Sequence, residues 1–189
     1  MAASRLGIGL LALQGAVRPH EVMLRSLGVR TRLVREPADL HGLSGLVLPG
    51  GESTSLSVAL QNTGLGGAIR DFSRYHPVLG TCAGLILMSE NAQDERVNPL
   101  NILGLTVVRN HYGPQAASFV ATIQSTEFVG MRGLFIRAPA IKATASQQVL
   151  GTHGGHAVVV QEGPHVGCAF HPELSSDTRV HAHWLRQVC

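Results

Sequence analysis

No part of this chain restricts its fold more than Val78-Leu79-Gly80-Thr81-Cys82-Ala83-Gly84-Leu85-Ile86-Leu87-Met88. An apolar run enters Gly80-Thr81-Cys82-Ala83-Gly84, and a second apolar run of helical character leaves it. Small residues two positions either side of a nucleophile mark a tight strand-to-helix turn, where crowding and unusual dihedrals leave little room for side chains. Such a turn lifts Cys82 to the carboxyl edge of a sheet, where open α/β folds bind ligands. A helix amino terminus beneath the sulfur favours the thiolate. A buried core cysteine is the plainer reading of this residue type. The turn chemistry on both sides favours the nucleophile.

The rest of the first half agrees with that strand and helix. Leu6–Leu13 is a continuous apolar run, as expected of a strand covered on both faces. Its apolar core is too short for a signal peptide and runs into Gln14-Gly15. A helix is expected over Val17–Leu27, stopped by Gly28, then strands over Val29–Val34 and Gly45–Leu48. Pro49-Gly50-Gly51 turns the chain into a helix over Ser53–Gln61, with another over Leu65–Tyr75 before the strand Val78–Gly80. This alternation predicts an α/β fold of three layers, a mostly parallel central sheet with helices on both faces. In the second half, strands over Leu105–Arg109, Phe119–Ile123, Gly133–Ile136, Ala157–Gln161 and Val166–Phe170 have few helices between them. Some are expected to pair antiparallel beside the main sheet, before a closing helix over Asp177–Val188. A length of 189 residues fits one domain, 1–189.

A thiol nucleophile needs a base, and the base needs an orienting group. Among ten histidines, His171 stands out because it ends the apolar strand Val166–Phe170 and precedes Pro172-Glu173. Residues i and i+2 of an extended segment face the same side, so Glu173 is expected to hold the His171 imidazole. Pro172 fixes one backbone angle and ends the ladder, leaving both side chains to project. Alone, His-Pro-Glu reads as a surface turn; beside the cysteine turn it completes the triad Cys82, His171 and Glu173. The N–H of Ala83, next after the nucleophile, is the expected first donor to an oxyanion. The loop Pro49-Gly50-Gly51-Glu52-Ser53 brings backbone N–H groups close to a ligand, and Gly51 is taken as the second donor. Each such donor is worth about 3 kcal/mol of barrier. The loop lacks the Lys-Ser/Thr ending of a nucleotide-binding loop.

Composition removes several classes. The net charge of +3 is mild, and the scattered cations, all arginine except Lys142, form no stripe for nucleic acid. No run approaches the ~20 apolar residues of a membrane helix. Cys82, Cys168 and Cys189 form neither a CxxC pair nor a disulfide-like spacing, which suggests no metal site and a reducing cytoplasm. Cys168 reads as a buried strand thiol and Cys189 as a carboxyl-terminal one.

A glycine-rich loop, a cysteine turn and a late His-x-Glu together resemble a class I glutamine amidotransferase, a flavodoxin-like fold. Further motifs are similar to the glutaminase subunits of pyridoxal 5′-phosphate synthase. These are Leu13-Gln14-Gly15-Ala16-Val17-Arg18, Leu48-Pro49-Gly50-Gly51-Glu52-Ser53-Thr54, Gly80-Thr81-Cys82-Ala83-Gly84-Leu85-Ile86, Phe135-Ile136-Arg137-Ala138-Pro139 and Phe170-His171-Pro172-Glu173-Leu174. They follow in family order over nearly the whole chain. The resemblance implies that Gly51, Glu52 and Ser53 line a glutamine site, with Arg109, Ile136 and Arg137 around the bound amino acid. An arginine suits the α-carboxylate because its planar fork pairs bidentately.

That resemblance implies hydrolysis of L-glutamine to glutamate and ammonia, with ammonia passed to a synthase (lyase) subunit in a hetero-oligomeric complex for vitamin B6 biosynthesis. It implies no cofactor, no metal, no nucleic acid and no membrane. One segment departs from the family pattern. Where the family reads Arg-Asn-x-Phe-Gly-Arg-Gln and then Ser-Phe-Glu, Pro114 and Val120 replace an arginine and a glutamate, and Ala117 stands at an acidic position. Alternatives remain an amidotransferase for another acceptor, a cysteine peptidase on a related fold, or a regulatory subunit that has lost catalysis.

Overall fold

The computed structural model describes residues 7–113 and 115–188. Leu6, Pro114 and Cys189, on which the sequence raised expectations, lie outside them. The first half runs β1 (Gly7–Leu11), α1 (Val17–Ser26), β2 (Arg30–Val34), β3 (Gly45–Leu48), α2 (Ser53–Asn62), α3 (Leu65–Ser73), β4 (Val78–Thr81) and α4 (Ala83–Met88). The second half runs β5 (Ser89–Asn91), β6 (Leu103–Val108), β7 (Phe119–Thr122), β8 (Arg132–Phe135), β9 (Ala140–Lys142), β10 (Gln148–His153), β11 (His156–Glu162), β12 (His165–Cys168) and α5 (Arg179–Val188).

The main sheet has the order β2-β1-β3-β4-β12-β11-β9-β6-β5, with β10 beside β11, while β7 and β8 form a separate ribbon. From β2 to β12 all neighbours are parallel. Beyond β12 the pairs turn antiparallel, until β6 and β5 run parallel again. Consecutive residues Leu46, Val47 and Leu48 are all fully buried, as are Val78 and Leu79. A strand buried at every position has both faces covered, which is why these strands read as unbroken apolar runs. One cover is α5, whose Trp184 ring approaches so closely that a Cβ on Gly45 would stand 3.0 Å from it.

The strand β12 positions the site. Late in the chain, it leaves the antiparallel half and pairs parallel with β4, Gly167 opposite Gly80 and Cys168 opposite Thr81. Both strands therefore empty at the same sheet edge, and the Cys82 N–H donates to the Cys168 carbonyl at 2.8 Å. The expected strand Val166–Phe170 ends at Cys168: the Ala169 N–H still donates to Val158 of β11, but the His171 N–H leaves the sheet for Leu134 on β8.

Candidate active site

The expected turn forms at the end of β4. Cys82 has φ 47° and ψ −103°, a strained conformation for a side chain with a Cβ. The flanking glycines keep ordinary dihedrals and serve close approach instead. A Cβ on Gly84 would overlap the Leu48 carbonyl, and one on Gly80 would stand 2.7 Å from the Gly84 carbonyl carbon. Substituted glycines would push the turn off the sheet. The helix begins at Ala83, so its N–H is among the orphan donors of a first helical turn.

His171 is 7% exposed, and its Nδ1 lies 2.7 Å from Glu173 Oε1. This contact arises differently from the expected extended pair. Pro172 opens a 3-10 turn, Pro172–Leu174, so Glu173 swings under His171 rather than sharing one strand face with it. Proline suits that first position because its φ is already helical and its missing N–H is not needed there. Burial opposes a charged imidazole at His171. Hydrogen bonds and charges from Cys82 and Glu173 outweigh it and push the pKa up to about 10. The imidazole reaches its place because Gly50 lacks a side chain, whose Cβ would overlap the ring.

The loop bearing Gly51 is clamped by the β1–α1 connection. The Ala16 N–H donates to the Gly50 carbonyl at 2.9 Å, and Gln14 Nε2 donates to the Glu52 carbonyl at 2.9 Å. Gly15 adopts φ 95° beneath them, and any Cβ there would overlap the Gly50 oxygen. Across a trans peptide the N–H points opposite the C=O, so this clamp fixes the direction of the Gly51 N–H. Glu52 caps α2, accepting from the N–H groups of Thr54 and Ser55 at 3.1 and 2.7 Å. Burial works against its charge, but the Ser55 and Thr54 hydrogen bonds prevail and bring its pKa down to about 2.

A cleft of about 230 Å³ joins these parts, with Cys82, His171, Gly51, Glu52, Ser53, Arg109, Ile136 and Arg137 in its walls. Glu173 and Ala83 lie buried behind it. The two arginines differ. Arg109 is engaged, its Nη1 by Asp94 and its Nη2 by Glu52 at 3.3 Å. Arg137 is exposed at φ 46°, and among the described residues no ion pair holds its guanidinium. The Ile136 carbonyl stands 3.7 Å from Cys82 Sγ. The ribbon β7–β8 delivers both Ile136 and Arg137 and also holds the His171 N–H.

Sequence reasoning assigned no site role to Gly15, Ala16 or Asp94. The first two belong to a motif quoted above and were detectable there; Asp94, in a polar loop, carried no signal. Of the departures from the family pattern, Ala117 is exposed and Val120 is 49% exposed opposite Leu134. Among the described residues no helix is long and apolar enough to cross a membrane.

Residues 10–189 match the SNO glutamine amidotransferase family. Among curated proteins, the chain is 40% identical over 181 residues to pyridoxal 5′-phosphate synthase subunit PdxT of Oenococcus oeni, covering 95% of each chain. It is 39% identical over 189 residues to the PdxT of Thermoplasma acidophilum, covering 97% of this chain and 93% of that one. Among solved structures, one described as a glutamine amidotransferase superposes with a TM-score of 0.90 at 34% identity, covering 96% of this chain and 98% of that one. PurLQS from Thermotoga maritima superposes at 0.67 with 15% identity, covering 98% and 100%, a likeness of fold alone.

Proposed function

The chain belongs to the SNO glutamine amidotransferase family, and from that premise we propose that it is the glutaminase subunit of a pyridoxal 5′-phosphate synthase. The whole chain acts as a single glutamine amidotransferase domain. The observation that carries the chemistry is the buried 2.7 Å contact between His171 and Glu173 beside a cysteine held at positive φ.

Cys82 gives its thiol proton to His171, and the thiolate attacks the side-chain amide carbon of glutamine. The N–H groups of Ala83 and Gly51 receive the oxyanion. His171 then protonates the leaving nitrogen, the C–N bond breaks, and ammonia departs from a γ-glutamyl thioester. Water, giving its proton to the same imidazole, cleaves the thioester to glutamate and frees Cys82. Glu173 keeps a proton on His171 Nδ1, so that Nε2 faces the thiol. Glu52 and Ser53 line the glutamine site beside Ile136, and Arg137, in no ion pair among the described residues, is better placed than Arg109 to take the α-carboxylate. Cys82 works as a free thiol, which fits a cytoplasmic setting.

Ammonia passes to a synthase subunit rather than to water, where protonation would remove its nucleophilicity. The clamp of Ala16 on Gly50 ties the Gly51 donor to the β1–α1 loop, and docking of the partner orders this loop for turnover. The test is glutamate release from glutamine, with and without the synthase subunit. Activity that rises on mixing is expected, and equal rates with and without the partner contradict the gating. Silence in a verified complex contradicts the glutaminase itself.

A further inference from the structure

Two histidines with no part in this chemistry lie behind Glu173, on the side away from the cleft. His20 on α1 and His181 on α5 are both fully buried. His20 Nδ1 is 2.8 Å from His181 Nε2, and His20 Nε2 is 3.1 Å from Thr81 Oγ1 and 3.6 Å from Glu173 Oε2. Glu173 Oε1 is engaged by His171, whereas Oε2 is buried with no hydrogen-bond partner among the described residues. His181 Nδ1 is likewise buried and, among the described residues, unpartnered.

The protons of this group can be assigned. Burial lowers His20 well below the ordinary range, reinforced by the nearby His181 and His171, and burial lowers His181 to about 4. Both rings are neutral near pH 7, and each carries one N–H. Their 2.8 Å contact needs one proton between them. Were it on His20 Nδ1, the proton of His181 would sit on Nδ1 as a buried donor with no acceptor. His20 Nε2 would then turn a lone pair toward the Glu173 carboxylate. With the proton on His181 Nε2, only an acceptor is left bare at His181 Nδ1, and His20 carries its N–H on Nε2. That N–H donates to Thr81 Oγ1 and stands 3.6 Å from Oε2, beyond hydrogen-bond reach. An orphaned buried donor is the costlier arrangement, so the second assignment prevails.

We infer that His20 and His181 are positioning residues of the triad: His181 locks His20 as the Nε2–H tautomer, so that His20 sets a positive N–H edge, and not a lone pair, beside the outer oxygen of Glu173. The carboxylate is then hydrogen-bonded by His171 at Oε1 and faced across 3.6 Å by the polar N–H edge of His20 at Oε2. Its other titratable neighbours are Cys82 beyond His171, Cys168 of β12, whose thiol burial pushes well up, and Arg18 of α1, which shares an outer groove with Glu173. This inference rests on the triad reading given above.

The decisive spectrum is a long-range ¹H–¹⁵N correlation of the imidazoles in the full wild-type chain near pH 7. Nε2–H is expected for both His20 and His181; Nδ1–H at His20 overturns the proposal without bearing on Cys82. Variants then test the consequence in the complex with its synthase partner. His20→Leu is expected to lower the titration of His171 and to reduce kcat about tenfold, with the KM for glutamine within about twofold. His20→Gln, which keeps an N–H to offer, is expected to recover most of both. A His20→Leu variant with wild-type kcat and an unmoved His171 titration overturns the positioning role. Full activity in Cys82→Ala would instead sink the triad reading, while leaving the tautomer result standing.

Discussion

The two sides of Glu173 are built on different principles. On the cleft side, the groups proposed to meet substrate are the backbone N–H donors of Gly51 and Ala83, a strained cysteine and cations at a solvated wall. On the far side, His20, His181 and Thr81 are fully buried and neutral. Reaction needs charge that appears and disappears, which the proposed mechanism draws from Cys82 and His171. Orientation needs groups that do not change, which a dry polar network supplies if its protons are distributed without conflict. On the proposed mechanism, catalysis belongs to one face of the carboxylate and alignment to the other.

Changes at the two faces should therefore differ in size and in kind. The largest effect is expected from Cys82→Ala, which removes the nucleophile and should lower glutamate release by about 10⁴-fold or more. Circular dichroism should be unchanged, since alanine keeps the Cβ and the one atom lost lies outside the main apolar cluster. Retained activity would erase the distinction between the faces.

Glu173→Gln cuts the link between them and should cost about 10²- to 10⁴-fold in kcat. It also has a signature in stability. Against the effect of burial, His171 is raised from an ordinary 6.5 to about 10 in the folded chain, by Cys82 first and then by Glu173, whose share is what the variant removes. A raised pKa stabilises the fold in full below pH 6.5, and that stabilisation is lost as pH rises through about 10. The Tm difference between wild type and Glu173→Gln should be widest near pH 6 and shrink toward pH 10. A difference that grows with pH would mean that Glu173 does not hold the imidazolium.

Smaller effects should separate the two arginines of the cleft wall. Arg137→Ala is expected to raise the KM for glutamine about 10- to 100-fold, the worth of hydrogen bonds to a charged group. Arg109→Ala, removing a cation already engaged by Asp94 and Glu52, should change KM by no more than about fivefold, as for a partly exposed ion pair. Steady-state kinetics on the complex decide between them, and a reversed order would give the carboxylate to Arg109.

The sequence was most informative where the strands are covered on both faces. Leu46-Val47-Leu48 and Val78-Leu79 could be read directly, and Gly and Pro punctuate their ends. β5 was not visible, since Ser89-Glu90-Asn91 has no apolar residue. β9 is three residues long, and in β10 the pairing with β11 is irregular around Gly151, so neither displays a period. In the site, Cys82 announced itself because its turn needs small neighbours. His171 and Glu173 were paired correctly by an extended-strand argument, but the chain achieves the contact through the 3-10 turn at Pro172. His20 and His181 stand 161 positions apart on two amphipathic helices, where a lone histidine has no local pattern to set it apart. Only packing brings them together.

The most direct measurement is the intact mass of the assembled complex after exposure to a glutamine-like electrophile. The expected result is one adduct per subunit at Cys82, slowed by glutamine and absent in Cys82→Ala, with the buried Cys168 unlabelled. A complex that releases glutamate while Cys82 stays unmodified would contradict the cysteine mechanism.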